Sequence, residues 1–247
     1  MSERRVCLLT GAGGQLGNEF CRRHAATYDI VAVHRSRPPT VASQEQWFVD
    51  PLAPDASLAE NAYPVFSIAS DLTKPGEISR VVELTLARHE RIDVLVNAAV
   101  HSIWADMVEN DRLIASVEQQ FRVNVDLPLR LSVEIARQFW RDRRDENLVR
   151  RRGIVNVSSV AGLNVYAGSG QSVYAASKAA LNHLTRHMAS EFARFGVRAN
   201  ALAPNTFPRI VPTERVADEI ARIDEGTATG EVVVVDARGQ GIVVTRA

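Results

Sequence analysis

The chain has 247 residues, and its 29 Lys plus Arg are balanced by 29 Asp plus Glu, so the formal charge is zero. That neutrality excludes general nucleic-acid binding, which needs a basic surplus against phosphate. Hydrophobic residues at 46% and charged residues at 23% exclude a disordered chain, and no apolar run approaches the ~18 residues of a membrane span.

Val6–Leu9 is a short apolar run closed by the glycine turn Thr10-Gly11-Ala12-Gly13-Gly14, and Leu16, Phe20 and His24 continue at helical spacing. Ile30–Val33 reads as a second strand, so residues 6–33 form strand, glycine turn, helix, strand, the first half of a nucleotide-binding fold. Residues 36–64 carry five prolines and no helical period, which predicts a long exposed excursion. Strands follow at Val65–Ala69 and Val94–Val96, with a helix at Glu77–Arg88 between them. Leu113, Val117, Phe121, Val125, Leu129 and Val133 predict one face of a long helix. The arginine-rich stretch Arg141–Arg152 reads as a solvated helix end and loop. Ile154–Val157 and Ala199–Ala203 are strands around a helix at Val173–Phe195, whose Leu181, Leu184, Met188 and Phe192 face inward. Thr213–Ile223 is a helix and Val232–Val235 a last buried strand. The expected architecture is a single α/β domain over 1–247, a doubly wound parallel sheet covered on both faces.

Gly11, Gly14 and Gly17 read G-x-x-G-x-x-G. Glycines there let a pyrophosphate approach the backbone, and the following helix start offers unpaired N–H groups to the anion. A purely structural turn is the alternative. After the second strand, no acidic residue lies between Asp29 and Glu45 to hold the ribose hydroxyls of NAD. Arg35 and Arg37 stand there instead, suited to a 2′-phosphate and so to NADP, unless they are simply solvated.

Tyr174 and Lys178 lie four apart and so share a helix face; the chain has only two lysines, which makes the pairing informative. An ammonium beside a phenol favours the phenolate, predicting a Tyr174 pKa that falls toward neutrality. Ser158-Ser159 ends a strand, at the edge where parallel sheets bind ligands. Asn124 precedes Pro128 by four, so its carbonyl lacks the usual helical donor and is suited to hold a water, unless the proline only marks a packing kink.

Together these motifs resemble the short-chain dehydrogenase/reductase family, mostly its classical branch. The resemblance runs along most of the chain: Thr10 to Gly17, Asp71-Leu72-Thr73, Val96-Asn97-Ala98-Ala99, Asn124, Ser158-Ser159, Tyr174-x-x-x-Lys178, Asn200-Ala201-x-Ala203-Pro204, and Thr229-Gly230 with Val235-Asp236. It implies a three-layer Rossmann fold and a hydride-transferring oxidoreductase acting on a carbonyl or hydroxyl. In that reading Tyr174 is the acid/base, Ser159 holds the substrate oxygen, Lys178 binds the nicotinamide ribose and Asn124 completes a proton relay. The cofactor residues would be Gly11, Gly14, Gln15, Leu16, Gly17, Arg35, Arg37, Asp71, Leu72, Asn97, Ala98, Ala99, Tyr174, Lys178 and Pro204, with NADP(H) favoured, NAD(H) possible and no metal.

Gln15 stands where the classical branch has glycine, Ala98-Ala99-Val100 replaces Asn-Ala-Gly, and Asn205 replaces the glycine after Pro204. The segment between Pro204 and Gly230 is short for the family. It leaves Asn205–Pro212 as a reduced lid, expected to be stiff and extended because it holds Pro208 and Pro212. An open site suits a bulky or carrier-held substrate, or one closed by the loop Gly162–Ser172. The remaining expectations are a homodimer or homotetramer built on the helices at 111–140 and 173–195, no nucleic-acid or membrane partner, and a cytoplasmic location, since Cys7 and Cys21 cannot make a disulfide framework. Two rival readings are a nucleotide-binding regulator without turnover and a nucleotide-sugar reductase or epimerase.

Overall fold

The computed structural model describes residues 4–41, 65–108, 110–237 and 242–245. The segment 42–64, most of the expected excursion, lies outside them. Seven parallel strands form the sheet: β1 (Arg5–Thr10), β2 (Tyr28–His34), β3 (Val65–Ala69), β4 (Val94–Asn97), β5 (Gly153–Val157), β6 (Arg198–Pro204) and β7 (Val232–Val235). Their spatial order is β3-β2-β1-β4-β5-β6-β7. An eighth strand, β8 (Ile242–Thr245), extends the sheet antiparallel to β7, so Val232–Val235 is not the last strand.

The strands read as near-continuous apolar runs because both faces of the sheet are covered. Alternate residues feed opposite cores. Cys7 and Leu9 of β1 pack under α1 (Gln15–His24) and α8 (Thr213–Glu225), whereas Leu8 packs under α2 (Glu77–His89), α5 (Leu127–Ile135) and α7 (Ser172–Phe192). Strand order reverses beside β1, between β2 and β4, and the crevice there opens at the carboxyl ends of the strands.

The long helix expected around residues 111–140 is broken. It runs through α3 (Asp111–Ala115), α4 (Val117–Phe121), a π turn at Arg122–Asp126, α5, and a second π turn at Ala136–Trp140. The first π turn sits just ahead of Pro128 and bonds the Leu127 N–H to the Arg122 carbonyl. Of the predicted stripe only Leu113 is buried; the inward residues are Gln120, Val123, Asn124, Leu127, Leu131, Ile135 and Phe139. A strict four-residue step advances about 40° past a full turn each time, so such a row winds off any one face.

The arginine-rich stretch holds a second correction. The short helix α6 (Arg144–Val149) is solvated, but Arg152 is fully buried. Its guanidinium pairs with Asp93 and Glu146, donates to Asn147 Oδ1 at 2.7 Å and stacks 4.5 Å from the Phe139 ring centroid.

Candidate active site

The glycine turn is held by backbone approach. A Cβ on Gly11, where φ is +70°, would lie 2.8 Å from the Ala98 carbonyl, and one on Gly17 would lie 2.5 Å from the Gly11 oxygen. Thr10 Oγ1 accepts the N–H groups of both Ala98 and Ala99 at 3.2 Å, so the turn and the end of β4 form one rigid floor. The helix α1 starts on Gly14 with no side-chain cap and no acidic residue in its first turn, the arrangement that favours an anion.

A cleft of about 310 Å³ opens beside this floor. It brings together Gly11, Gly14, Arg35, Arg37, Asp71, Leu72, Ala98 and Ala99 from the sequence-derived set. It also takes in Thr73, the last residue of the Asp71-Leu72-Thr73 motif, and His101, Val123 and Leu127, which sequence reading missed; His101 was findable, because it follows the end of β4 at the ligand edge of the sheet. Gln15, Leu16, Gly17, Asn97, Tyr174, Lys178 and Pro204 do not line it. Leu16 is buried in the core, and the Gln15 side chain donates to Thr213 Oγ1 at 2.9 Å, bridging α1 to α8. Asn97 is buried below the floor, its Nδ2 donating to Asn156 Oδ1 at 2.8 Å. Pro204, at the end of β6, pairs with Val235.

Arg35 and Arg37 are exposed on the cleft rim. Asp71 Oδ1 accepts Thr73 Oγ1 at 2.7 Å, and that bond, with a smaller attraction to Arg35, holds the Asp71 carboxyl below its usual range. The uncapped start of α1, the cationic rim and the apolar walls fit a nicotinamide dinucleotide.

Beyond the cleft, α7 carries Tyr174 and Lys178 up to the end of β5. Ser159 caps the turn Val160–Gly162, its hydroxyl accepting the Ala161 N–H at 3.1 Å. Lys178 is buried, its Nζ donating to the Val157 carbonyl at 2.7 Å and lying 5.8 Å from the Tyr174 ring centroid. The expected fall in the Tyr174 pKa is not found. Burial raises the phenol above its ordinary value, opposed only by the influence of the Ser159 hydroxyl, while burial pushes Lys178 down to about 7. An ammonium whose own charge is disfavoured does little to draw a proton from its neighbour.

Asn124 is fully buried one turn ahead of Pro128. Its Oδ1 accepts the His101 N–H at 2.9 Å, and its Nδ2 donates to the His101 carbonyl at 2.8 Å and to Ser177 Oγ at 2.9 Å. Ser177 Oγ in turn donates to the Tyr174 carbonyl. The reduced lid is not extended, as its prolines suggested. Asn205–Pro212 coils into a turn in which the Ile210 and Val211 N–H groups both reach the Thr206 carbonyl, because Phe207 and Val211, four apart, are drawn into the core. Among the described residues there is no cluster of three metal-ligating side chains and no helix long and apolar enough to cross a membrane.

Comparison with known proteins places the chain's family and fold. The family model described as short chain dehydrogenase matches residues 5–214. An acetoacetyl-CoA reductase from Acinetobacter sp. is 30% identical over 225 residues, 91% of this chain and 83% of that protein. A galactitol 2-dehydrogenase (L-tagatose-forming) from Cereibacter sphaeroides is 32% identical over 200 residues, 79% of this chain and 68% of that protein. Among solved structures, a Brucella ovis oxidoreductase of the same family, in complex with a partially ordered NAD, superposes with a TM-score of 0.68 at 27% identity, covering 95% of this chain and all of that one.

Proposed function

This chain belongs to the short-chain dehydrogenase/reductase family, and from that premise we propose that it is an NADP-dependent oxidoreductase interconverting a carbonyl and an alcohol, with Tyr174 as acid/base. The observation that carries the reading is the grouping of Ser159, Tyr174 and Lys178 at the carboxyl edge of the sheet, beside the cleft. Two relatives, one reducing acetoacetyl-CoA and one forming L-tagatose from galactitol, support the reaction class.

A bound nicotinamide dinucleotide supplies or accepts the hydride. Tyr174 gives its proton to the substrate oxygen as negative charge develops there, while Ser159 holds the same oxygen. The raised Tyr174 pKa keeps the phenol protonated at neutral pH, the form reduction needs. In the oxidising direction the phenol must first lose that proton, so oxidation gains as pH rises. Lys178, with a pKa of about 7, can pass a proton onward near neutrality. Asn124 belongs to the relay, and its side chain fixes the turn of α7 that bears Tyr174 through Ser177.

Arg35, with Arg37 as the weaker partner, selects the 2′-phosphate, and Asp71 orients the adenine. Self-association is part of the same reading. Phe121, Val125, Leu129 and Val133, half-buried or exposed, line a groove with Ile78 that a second copy would cover. Sedimentation at micromolar concentration checks this, a monomer contradicting it. With Cys7 and Cys21 both free and buried, a reducing cytoplasmic location is proposed too. The reading is tested by following NADPH oxidation over a panel of ketones in wild type and Tyr174→Phe. Tyr174-dependent turnover supports it; tight cofactor binding with no Tyr174-dependent turnover on any of them favours a regulator.

A further inference from the structure

Residues 101–108 leave the end of β4 as a strap without helix or strand, yet three ties fix it. Asn124 grips the His101 residue through both its N–H and its carbonyl. One turn earlier on the same helical run, Gln120 Oε1 accepts the Ile103 N–H at 3.3 Å, and Gln120 Nε2 is anchored on Ser116 Oγ at 2.8 Å. The Ala105 N–H donates to the Gly170 carbonyl at 2.9 Å, joining the strap to the loop ahead of α7. Gly170 has φ +63°, and a Cβ there would sit 3.0 Å from the Ala105 nitrogen, so this junction is shaped for glycine. Two fully buried carboxamides are thus committed to one surface segment.

What the strap holds out is Trp104. Its ring centroid lies 6.4 Å from that of Tyr174, while the residue stays 57% exposed. A packed tryptophan buries roughly 150–250 Å², so an exposed one on a fixed segment contributes little to folding. Met107 and Val108 continue the exposed apolar crest, turned by Asp106, whose Oδ1 accepts the Val108 N–H at 2.8 Å. The facing loop adds Val165 and Tyr166, both exposed, and residues 162–172 contain no charged side chain.

We propose that Trp104 is the specificity-determining residue of this site, its indole forming a fixed platform for the flat apolar body of an aryl ketone or aryl carbinol. The inference rests on the reductase reading above and deepens it. Rigid aromatic surfaces give contact area at small ordering cost, and the three ties have already fixed the backbone that carries this one. Strap and facing loop together offer no Lys or Arg to a polyphosphate carrier, and only Arg209 of the lid segment does, which favours a free aryl compound over a coenzyme A thioester.

The experiment compares kcat and KM for 2-acetylnaphthalene, acetone and acetoacetyl-CoA in wild type, Trp104→Ala and Trp104→Phe. In Trp104→Ala the KM for 2-acetylnaphthalene should rise at least tenfold with kcat changed less than threefold. Trp104→Phe should recover most of that loss, and the NADPH dissociation constant and melting temperature should report an intact fold. An unchanged KM, or a wild-type preference for acetoacetyl-CoA, overturns the proposal. Calorimetric binding of 2-acetylnaphthalene to NADP-loaded Tyr174→Phe, with and without Trp104→Ala, reads the platform without turnover. Equal affinities there overturn this inference alone, whereas wild-type turnover in Tyr174→Phe overturns the acid/base reading alone.

Discussion

The two rims of the cleft are built on opposite principles. On the nucleotide rim backbone lies against backbone: Gly11 meets Ala98, Gly17 meets Gly11, and a Cβ on Gly13 would fall 1.7 Å from the Arg37 carbonyl. On the substrate rim the backbone is suspended from the side chains of Gln120 and Asn124, and Trp104, Met107 and Val108 project into solvent. The first rim has no room for an added methyl, whereas the second can exchange a whole side chain with the fold intact. In the proposed function, cofactor binding is therefore tied to the integrity of the sheet edge, and substrate choice is separable from it.

Tyr174 stands between the rims, and replacing it should produce the largest effect. Tyr174→Phe is expected to lower kcat/KM by about 10²–10⁴-fold, the usual contribution of a positioned acid/base, with NADPH affinity retained in titrations. Gly17→Val comes next, since its side chain would enter the Gly11 and Ala12 backbone. We expect a loss of about 1–3 kcal/mol in denaturant melts and at least tenfold weaker NADPH binding. The matching change on the other rim, Val165→Ala at a fully exposed site, should stay within about 0.5 kcal/mol. Equal costs on both rims would remove the contrast.

Arg35→Ala should weaken NADP by about tenfold or more and leave NAD unchanged, as one charge-assisted pair with the 2′-phosphate would. The least specific effect is a pH slope. Lys178 has its folded pKa lowered to about 7, so between pH 7 and the unfolded value of about 10.4 the unfolded chain holds the extra proton. Stability should rise across that window, by at most about 1.4 kcal/mol per pH unit, and this contribution should be flat below pH 7. Unfolding midpoints from pH 7 to 10 should lose that component of the slope in Lys178→Met.

The glycine floor and the group around Tyr174 were legible in the sequence because their signals are local. A glycine turn between strand and helix, a Ser-Ser at a strand end and a Tyr-Lys pair one turn apart each specify their own neighbourhood. The substrate rim was not legible. Trp104 depends on carboxamides 16 and 20 residues downstream, on a helix whose inward face the four-residue apolar row misassigned. That face is also set in part by the π turn before Pro128, which no hydrophobic period announces. Arg152 read as solvent-exposed because its partner Asp93 lies 59 residues away. The Tyr174 pKa went the other way because spacing reveals a neighbouring ammonium but not its burial. The strand β8 pairs with β7 after a break in pattern too short to read as an element.

The most direct test of the central claim is label transfer. Wild type and Tyr174→Phe, each saturated with NADPH carrying deuterium at the transferable C4 position, are incubated with a panel of aryl and alkyl ketones, and the products are analysed by mass spectrometry. The account predicts deuterium at the carbinol carbon with wild type, and at least a hundredfold slower transfer in the variant although it binds the cofactor equally well. Saturated cofactor with no deuterated product from either protein, or equal transfer rates in both, would contradict it.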